Sequence, residues 1–288
     1  MPYLFLTGAV AGVASTGIFG SFYNRKNEGR KGAAALYSLL QMLSMCLCWA
    51  VIFALDPGFH LKVLVYALLF GGFYTLCAVG LINALKYGPV ALTSLILQLS
   101  LIGVTIWGFL FWNSEITPLV VSGLVLVAIS LGLCLYTGKR GDKKIDWKWL
   151  IFALLMFVGN AGCSIVQKTQ QTAFEGKYGS LLMLAATGFS CLVCFAGYMG
   201  SDKTDTRIIL RGSWYYPIFS GISGAALNLF VILLATSELS PSLVYPTIAV
   251  GGLAVTTVFS SFVFKEKLKW QQWLGIAFGA VAAVLLSI

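Results

Sequence analysis

Long apolar runs separated by short polar gaps make up the chain from end to end. Ten runs stand out, at approximately 2–23, 32–55, 62–84, 89–112, 117–137, 147–168, 179–199, 214–236, 241–264 and 270–288. Within each run apolar side chains fall on every face of a helical projection. That pattern excludes the one-sided stripe of a soluble helix and the alternation of a barrel strand. A run of ~20 apolar residues matches a hydrocarbon core ~30 Å thick. The runs therefore predict an all-α polytopic membrane protein with ten transmembrane helices. The longest gaps, "GKRGDKKID" (138–146) and "GSDKTDTRIILRGS" (200–213), are too short for a soluble domain. Pro2, Pro89, Pro118, Pro217 and Pro241 fall in the first turns of their runs, where a missing N–H costs little. Pro246 is the exception, a turn and a half inside the ninth run, where it frees the carbonyl of Ser242 and tends to kink the helix.

Composition agrees. Hydrophobic residues are 59% of the 288, charged residues 10%, and the mean hydropathy is +0.89, whereas a soluble domain carries about 25% charge. The net charge of +9 does not point to nucleic acid, because the cations sit in short gaps and form no continuous basic face. The first run starts at Pro2 with no basic segment before it and is read as a retained helix, not a cleaved signal peptide. The seven cysteines all lie inside apolar runs, and Cys191 and Cys194 form a C-x-x-C. With His60 as the sole histidine, in a gap, they are read as small packing residues; no metal and no cofactor are expected.

Charge gives direction. The stretch "NRKNEGRK" (24–31) sets four cations between two nearly uncharged runs. Counting gaps in order, the odd gaps and their flanks hold sixteen Lys and Arg. The even gaps hold three: Lys62, Lys168 and Lys177. Lys and Arg near span ends favour the cytoplasmic side. The asymmetry predicts odd gaps in the cytoplasm, both termini outside, and a multi-pass protein of the plasma or inner membrane. "NRKNEGRK" reads as an orientation signal drawn to anionic lipid headgroups.

The chain also repeats itself weakly. At an offset of 145, Gly17 meets Gly162 and Ser15 meets Asn160; at 146, Ser44, Cys48 and Ala50 meet Ser190, Cys194 and Ala196. At 152, Gly72 meets Gly224, Pro89 meets Pro241 and Gly123 meets Gly275, while Glu115 and Glu266 each precede the next run. The matches keep one order along the whole chain and divide it into a first five-helix repeat, 1–138, and a second, 147–288. Five is odd, so the second repeat enters from the opposite side. Inverted repeats are the architecture of many secondary transporters, with the substrate site near the bilayer midplane.

Two stretches carry a family resemblance. They are "NALKYGPVALTSLILQLSLIGVTIWGFLFWNSEITPLVVSGLVLVAISLGL" (83–133) and "LATSELSPSLVYPTIAVGGLAVTTVFSSFVFKEKLKWQQWLGIAFGAVAAVLL" (234–286). Both resemble the helix, small-residue turn, helix, acidic residue, glycine-bearing helix pattern of the drug/metabolite transporter superfamily, EamA-like branch. The resemblance implies a ten-helix bundle with a central cavity and an exported metabolite, amino acid or drug. Many members carry the basic loop after the second span; here it follows the first, and the orientation is taken from the charges.

The residues narrow the chemistry. Every Asp and Glu falls at a gap or a span end, which disfavours proton antiport through an intramembrane carboxylate. Lys168 is the one cation able to reach inward, and snorkelling to the interface is its expected placement. Uncharged polar and aromatic groups remain: Ser15, Gln98, Asn160 and Asn228, with Trp49, Tyr74, Trp107 and Tyr245 beside them and Pro246 as the kink. Polar groups in hydrocarbon must face protein or a wet cavity, so these residues are the candidate substrate cavity. Gln41 and Ser100 read as helix-to-helix hydrogen-bonding groups. Trp147, Trp149, Trp214, Trp270 and Trp273 read as interfacial anchors. Two G-x-x-x-G patterns, Gly8–Gly12 and Gly275–Gly279, read as close packing within one chain, with a homodimer as the alternative. The expected function is secondary transport, by export or exchange, of a small neutral, zwitterionic or lipophilic solute such as an amino acid. Multidrug efflux is the alternative. A membrane-embedded enzyme is disfavoured because no nucleophile–base pair, carboxylate pair or metal set is present in the sequence.

Overall fold

The computed structural model describes residues 1–87, 90–112, 116–134, 147–263 and 270–285. For Gln98 and some other helix residues it describes the backbone alone. Pro89, Glu115, Glu266 and the cations at 139–144 and 265–269 lie outside the described residues.

Eleven α-helices are present among the described residues: α1 Pro2–Lys26, α2 Ala33–Leu55, α3 Leu61–Tyr87, α4 Val90–Phe111, α5 Pro118–Cys134, α6 Trp147–Ala173, α7 Gly179–Met199, α8 Thr206–Ser213, α9 Tyr215–Ala235, α10 Pro241–Val263 and α11 Trp270–Leu285. Six of them, α1, α2, α3, α6, α7 and α9, are long and apolar enough within the described residues to cross a membrane. Shorter apolar helical stretches cover 102–111, 118–130 and 241–256.

Two elements depart from the apolar pattern. The sixth run continues past 168 through "QKTQQTA" to Ala173. Gln and Lys are good helix formers, and Gln170 and Gln171 are fully buried, so a polar sequence extends a membrane helix. The second exception is α8, in the gap at 200–213. Arg207 and Arg211 are exposed on it while Ile209 and Ser213 are buried. This is the one-sided pattern of a helix lying at an interface.

Close helix pairs organise the bundle. The most extensive packing is α3 on α6, followed by α1 on α9, α5 on α11 and α2 on α7. Glycine makes the first two possible. A Cβ on Gly80 would stand 2.6 Å from the Met156 nitrogen, and one on Gly159 would stand 2.5 Å from the Cys77 nitrogen. Backbones thus meet directly where α3 crosses α6. On α1, Gly12 meets the Leu227 backbone of α9 and Gly8 makes room for the Phe230 ring. Gly279 of α11 lies against Val250 of α10 and Ser130 of α5, and the Ser130 hydroxyl donates to the Gly275 carbonyl at 2.6 Å. Both G-x-x-x-G patterns therefore pack inside the chain.

The described gaps gather into two rims. On one, the first gap docks on the segment around α8. Lys31 pairs with Asp202 at 3.0 Å, and its backbone N–H donates to Asp205 at 2.9 Å. Lys26 donates to the Gly212 carbonyl at 2.6 Å, and Ser213 donates to Asn27 at 3.3 Å. Gly32, at φ +70°, lies so near the Asp202 carbonyl that no side chain fits. On the other rim, His60 packs on Phe174 and Tyr178 at ring-centroid distances of 4.9 and 5.6 Å. There the Ser180 hydroxyl donates to the Asp56 carbonyl at 3.4 Å, and Gly176 adjoins Thr236. The 23 residues of α2, at 1.5 Å of rise each, separate the cation-rich rim from the aromatic one.

Two interfacial expectations change. Trp149 is only 6% exposed, packed with Ala84 and Ala153, so it is a core residue of the α3–α4–α6 junction. Trp147, Trp214, Trp270 and Trp273 are exposed, as anchors are.

Gly159→Ala will lower stability by about 1–3 kcal/mol through overpacking of the α3–α6 crossing. Gly188→Ala, where a Cβ meets nothing within 4 Å, will raise stability by up to about 1 kcal/mol through helix propensity. Unfolding of both variants in one detergent checks the opposite signs.

Hydrogen bonds from Thr204 and the ammonium of Lys31 hold the Asp202 carboxyl down to about 2 from an ordinary 3.8, and Asp202 raises the Lys31 ammonium above its ordinary 10.5. A depressed carboxyl stabilises the fold above its unfolded value and loses that contribution as pH falls from 3.8 toward 2; a raised ammonium loses its contribution only above 10.5. The contact is thus complete at neutral pH. Asp202→Asn will lower the thermal unfolding midpoint at neutral pH, and the loss will shrink as pH falls from 3.8 toward 2 in the same detergent.

Candidate functional site

Helix α6 builds the interior, and its period divides its residues among its neighbours. Gly159 and Gly162 face α3 at Cys77 and Phe73. Asn160, Ser164 and Lys168 stand one turn apart on another face. The Asn160 amide donates to the Ser100 hydroxyl at 2.7 Å and to the Leu97 carbonyl at 3.4 Å, tying α6 to α4. The Ser164 carbonyl accepts from the Tyr245 hydroxyl of α10 at 3.5 Å. The Lys168 ammonium donates to the carbonyl of Ala235, the last residue of α9. Its side chain is half-buried, with the ammonium at the C-terminal end of α9.

A third face is lined by glutamines. The Gln167 amide donates to the Asn228 backbone carbonyl at 3.3 Å and lies 3.8 Å from the Met183 sulfur. Gln171 donates to Gln170, and Gln170 donates to the Lys177 carbonyl at 3.0 Å. These groups adjoin the largest core cluster, where Met42, Met45 and Trp49 of α2 meet Phe70 of α3, Met183 of α7 and Ile232 of α9.

The residues singled out from the sequence fall in three places. Trp49 is fully buried in this central cluster and Tyr74 packs against it, stacked on Phe70 at 6.3 Å between ring centroids. Asn228 is half-buried beside it, its own amide donating to the Gly224 carbonyl at 2.9 Å. Asn160, Tyr245 and Pro246 lie on the α4–α6–α10 side, with Tyr245 and Pro246 buried and α10 continuous through the proline. Ser15 is half-buried on α1, which packs on α9 and α10. Trp107 is different: it is 37% exposed and stacks on exposed Phe111 at 4.1 Å, an outward position. The Gln98 side chain lies outside the described residues.

Gln41 and Ser100 bridge helices as expected; Gln41 donates to the Ser220 hydroxyl at 3.0 Å, as Tyr37 does at 2.8 Å. Gln167, Gln170 and Gln171 were missed as site residues because a lipid-scale reading ends the span at 168. Their signal was the spacing of 167, 170 and 171 on one helical face. Two buried polar atoms near this core, the Trp49 ring N–H and the Gln171 amide oxygen, have no hydrogen-bond partner among the described residues. The described cysteines are free thiols, and no metal-binding cluster occurs among the described residues.

The arrangement is an uncharged interior of amides, hydroxyls and aromatic rings, with one ammonium toward the aromatic rim. It defines a multi-pass helical membrane protein. No family model matches the chain. An uncharacterized protein of Haemophilus influenzae is 22% identical over 210 residues, 71% of this chain and 68% of its own length. A probable 4-amino-4-deoxy-L-arabinose-phosphoundecaprenol flippase subunit ArnE of Pseudomonas fluorescens is 26% identical over 113 residues, 37% of this chain and 95% of its own. One solved protein crystal structure superposes with a TM-score of 0.76 at 13% identity, covering 99% of this chain and 95% of the other. At that identity the likeness speaks to the fold alone. Spanning helices together with weak similarity to a flippase subunit support a transporter in general terms.

Interhelical hydrogen bonds in membranes are worth about 0.6 kcal/mol on average and about 1.7 at most. A double-mutant cycle of Asn160→Ala and Ser100→Ala will return a coupling in that range by reversible unfolding in mixed micelles. A coupling of zero would mean the two side chains do not bond.

Proposed function

We propose that the chain is a secondary transporter of the EamA-like branch of the drug/metabolite transporter superfamily, built from ten spans as two inverted five-helix repeats, which moves a small neutral, zwitterionic or lipophilic organic solute. The observation that carries this reading is an exchange symmetry in the packing. Let α1, α2, α3, α4 and α5 trade places with α6, α7, α9, α10 and α11. The contact of α3 with α6 then becomes that of α9 with α1, α3–α7 becomes α9–α2, and α4–α6 becomes α10–α1. The pairs α2–α7, α4–α10 and α5–α11 map onto themselves. The largest interfaces all map in this way, while the smaller α5–α10, α6–α9 and α3–α4 packing has no counterpart of like extent.

The rims support the inversion. The turn after α1 belongs to the cation-rich rim, and the turn after α6, its counterpart, to the aromatic rim. Lys26, Arg30, Lys31, Arg207 and Arg211 on the first rim favour the cytoplasm for it, with both termini outside and the chain in the plasma or inner membrane. The site is the interior between the repeats, lined by Trp49, Tyr74, Asn160, Asn228 and Tyr245. The reading takes in no cofactor and no catalysed reaction, and a single chain as the working unit with a homodimer as the alternative. Rocking of one repeat against the other exposes such a site to each side in turn. The rings of Trp49, Phe70 and Tyr74 in one cluster favour lipophilic drugs as the second cargo class.

Purified protein in proteoliposomes will take up radiolabelled leucine saturably, and dissipating a pH gradient will leave the rate unchanged within about twofold, because no carboxylate lies mid-span to carry a proton. Competition by ethidium, with no effect from amino acids, would reassign the protein to drug efflux. Fluxes equal to those of empty liposomes for both compounds would reject the transporter reading.

A further inference from the structure

The cation-rich rim draws seven Lys and Arg from 24–31 and 200–213, against three acids, Glu28, Asp202 and Asp205. Two of those acids are already engaged by Lys31, Asp202 with its ammonium and Asp205 with its backbone N–H. Arg207 and Arg211 of α8 are exposed, and neither side chain has a partner among the described residues. We propose that the outward face of α8 binds the headgroup of an anionic phospholipid, with Arg207 and Arg211 on its phosphodiester and Ile208, Leu210 and Trp214 against its acyl chains. The inference rests on the membrane-spanning helices and is independent of what the chain transports.

The two faces of α8 lead to it. Ile209 and Ser213 are buried, Ile209 against Tyr23 and Leu36. With about 3.6 residues per turn, Arg207, Arg211 and Trp214 fall on the opposite face, and Ile208 and Leu210 flank them. All five are exposed. Water rewards the two arginines there but not the three large apolar groups. A lipid interface rewards both, with phosphates for the guanidinium groups and acyl chains for the rest. Tryptophan also favours that level of a bilayer. The helix is held there by its neighbours. Trp214 leads directly into the spanning helix α9. Tyr198 near the end of α7 shares a hydrogen bond with Thr206 at 3.1 Å, and Lys26 of α1 donates to the Gly212 carbonyl at 2.6 Å. A site fixed in advance loses little freedom on binding. The chemistry selects the headgroup. Side chains one turn apart are neighbours, and each guanidinium takes phosphate oxygens in pairs. Phosphatidylcholine brings an ammonium of its own, which balances its phosphate and is repelled by this rim. Phosphatidylglycerol leaves its phosphate charge to the arginines. Free phosphate has no chains for Ile208, Leu210 and Trp214 to hold.

Equilibrium binding of radiolabelled phosphatidylglycerol to the immobilised chain in dodecyl maltoside tests this, with unlabelled phosphatidylcholine and millimolar inorganic phosphate as competitors. The probe will bind, phosphatidylcholine will compete at least about tenfold less well than unlabelled phosphatidylglycerol, and inorganic phosphate will not displace it. Arg207→Gln and Arg211→Gln will each weaken binding about fivefold, and the two together more than about tenfold. The single variants keep the test decisive if the double variant does not fold. Lys62→Gln with Lys177→Gln removes the same charge from the aromatic rim and will leave binding within about twofold of the wild type. The proposal is overturned if the wild type binds no probe, if phosphatidylcholine competes as well as phosphatidylglycerol, or if the arginine variants bind like the wild type. It is overturned equally if the aromatic-rim variant loses as much as they do, or if inorganic phosphate displaces the probe, which would make the occupant a soluble anion. None of these outcomes bears on solute flux in proteoliposomes, so the transporter reading stands or falls separately.

Discussion

Helices that cross in a hydrocarbon solvent gain nothing from burying apolar surface, so they associate by how closely their backbones approach. In this protein that approach is set at the crossing of α3 and α6, where Gly80 and Gly159 bring main chain against main chain. The crossing of α1 and α9 uses Gly12 in the same way, while Gly8 accommodates the Phe230 ring. With those two pairs fixed, α2 and α7 have a groove between them to fill, and their facing sides carry the central cluster of Met, Trp and Phe. The remaining helices lie outside this frame.

The frame explains why α6 holds most of the interior chemistry. A helix gripped by glycine on one face keeps its other faces close to α4, α7, α9 and α10. Polar side chains there are within reach of a partner, which lowers the cost of burying them. Asn160, Gln167, Lys168, Gln170 and Gln171 each have a partner on another helix, a neighbouring side chain or a loop. The same sequence facing lipid would have ended the helix or pulled it to the interface.

Much of this could be read from the chain. The apolar runs match the six helices long and apolar enough to cross a membrane to within about five residues, because hydropathy and helix are linked by the need to satisfy the backbone without water. The prolines at positions 2, 118 and 241 open their helices as expected. What eluded the sequence is whatever tertiary burial decides. Trp149 reads as an anchor because it lies at a run's start, yet Ala84 and Ala153 enclose it. Trp107 reads as deep because it is mid-run, yet it faces outward. In a bilayer both faces of a helix are apolar, so composition cannot separate a ring that touches lipid from one that touches protein. For the same reason the glutamines at 167–171 looked like the end of a span; only α7 and α9 packed over them make them interior.

The distribution of hydrogen bonds bears on motion. Most interior hydroxyls and amides bond to their own helix one turn back: Thr16 to Gly12, Thr75 to Gly71, Thr187 to Met183, Asn228 to Gly224 and Thr256 to Gly252. Such a group keeps its partner when its helix moves. Among the described residues, bonds between helices join α2 to α9, α4 to α6 and α5 to α11, and also α6 to α9 through Gln167 and Lys168 and to α10 through Tyr245. Sliding or rocking at interfaces without such a bond leaves no described polar group orphaned in a low-dielectric interior, where each would cost kilocalories. The rims are built in the opposite way, the cation-rich one with an ion pair and carbonyl contacts between segments and the aromatic one with stacked rings. In a chain of this construction, the resistance to rocking lies at the two rims and the hydrogen-bonded seams.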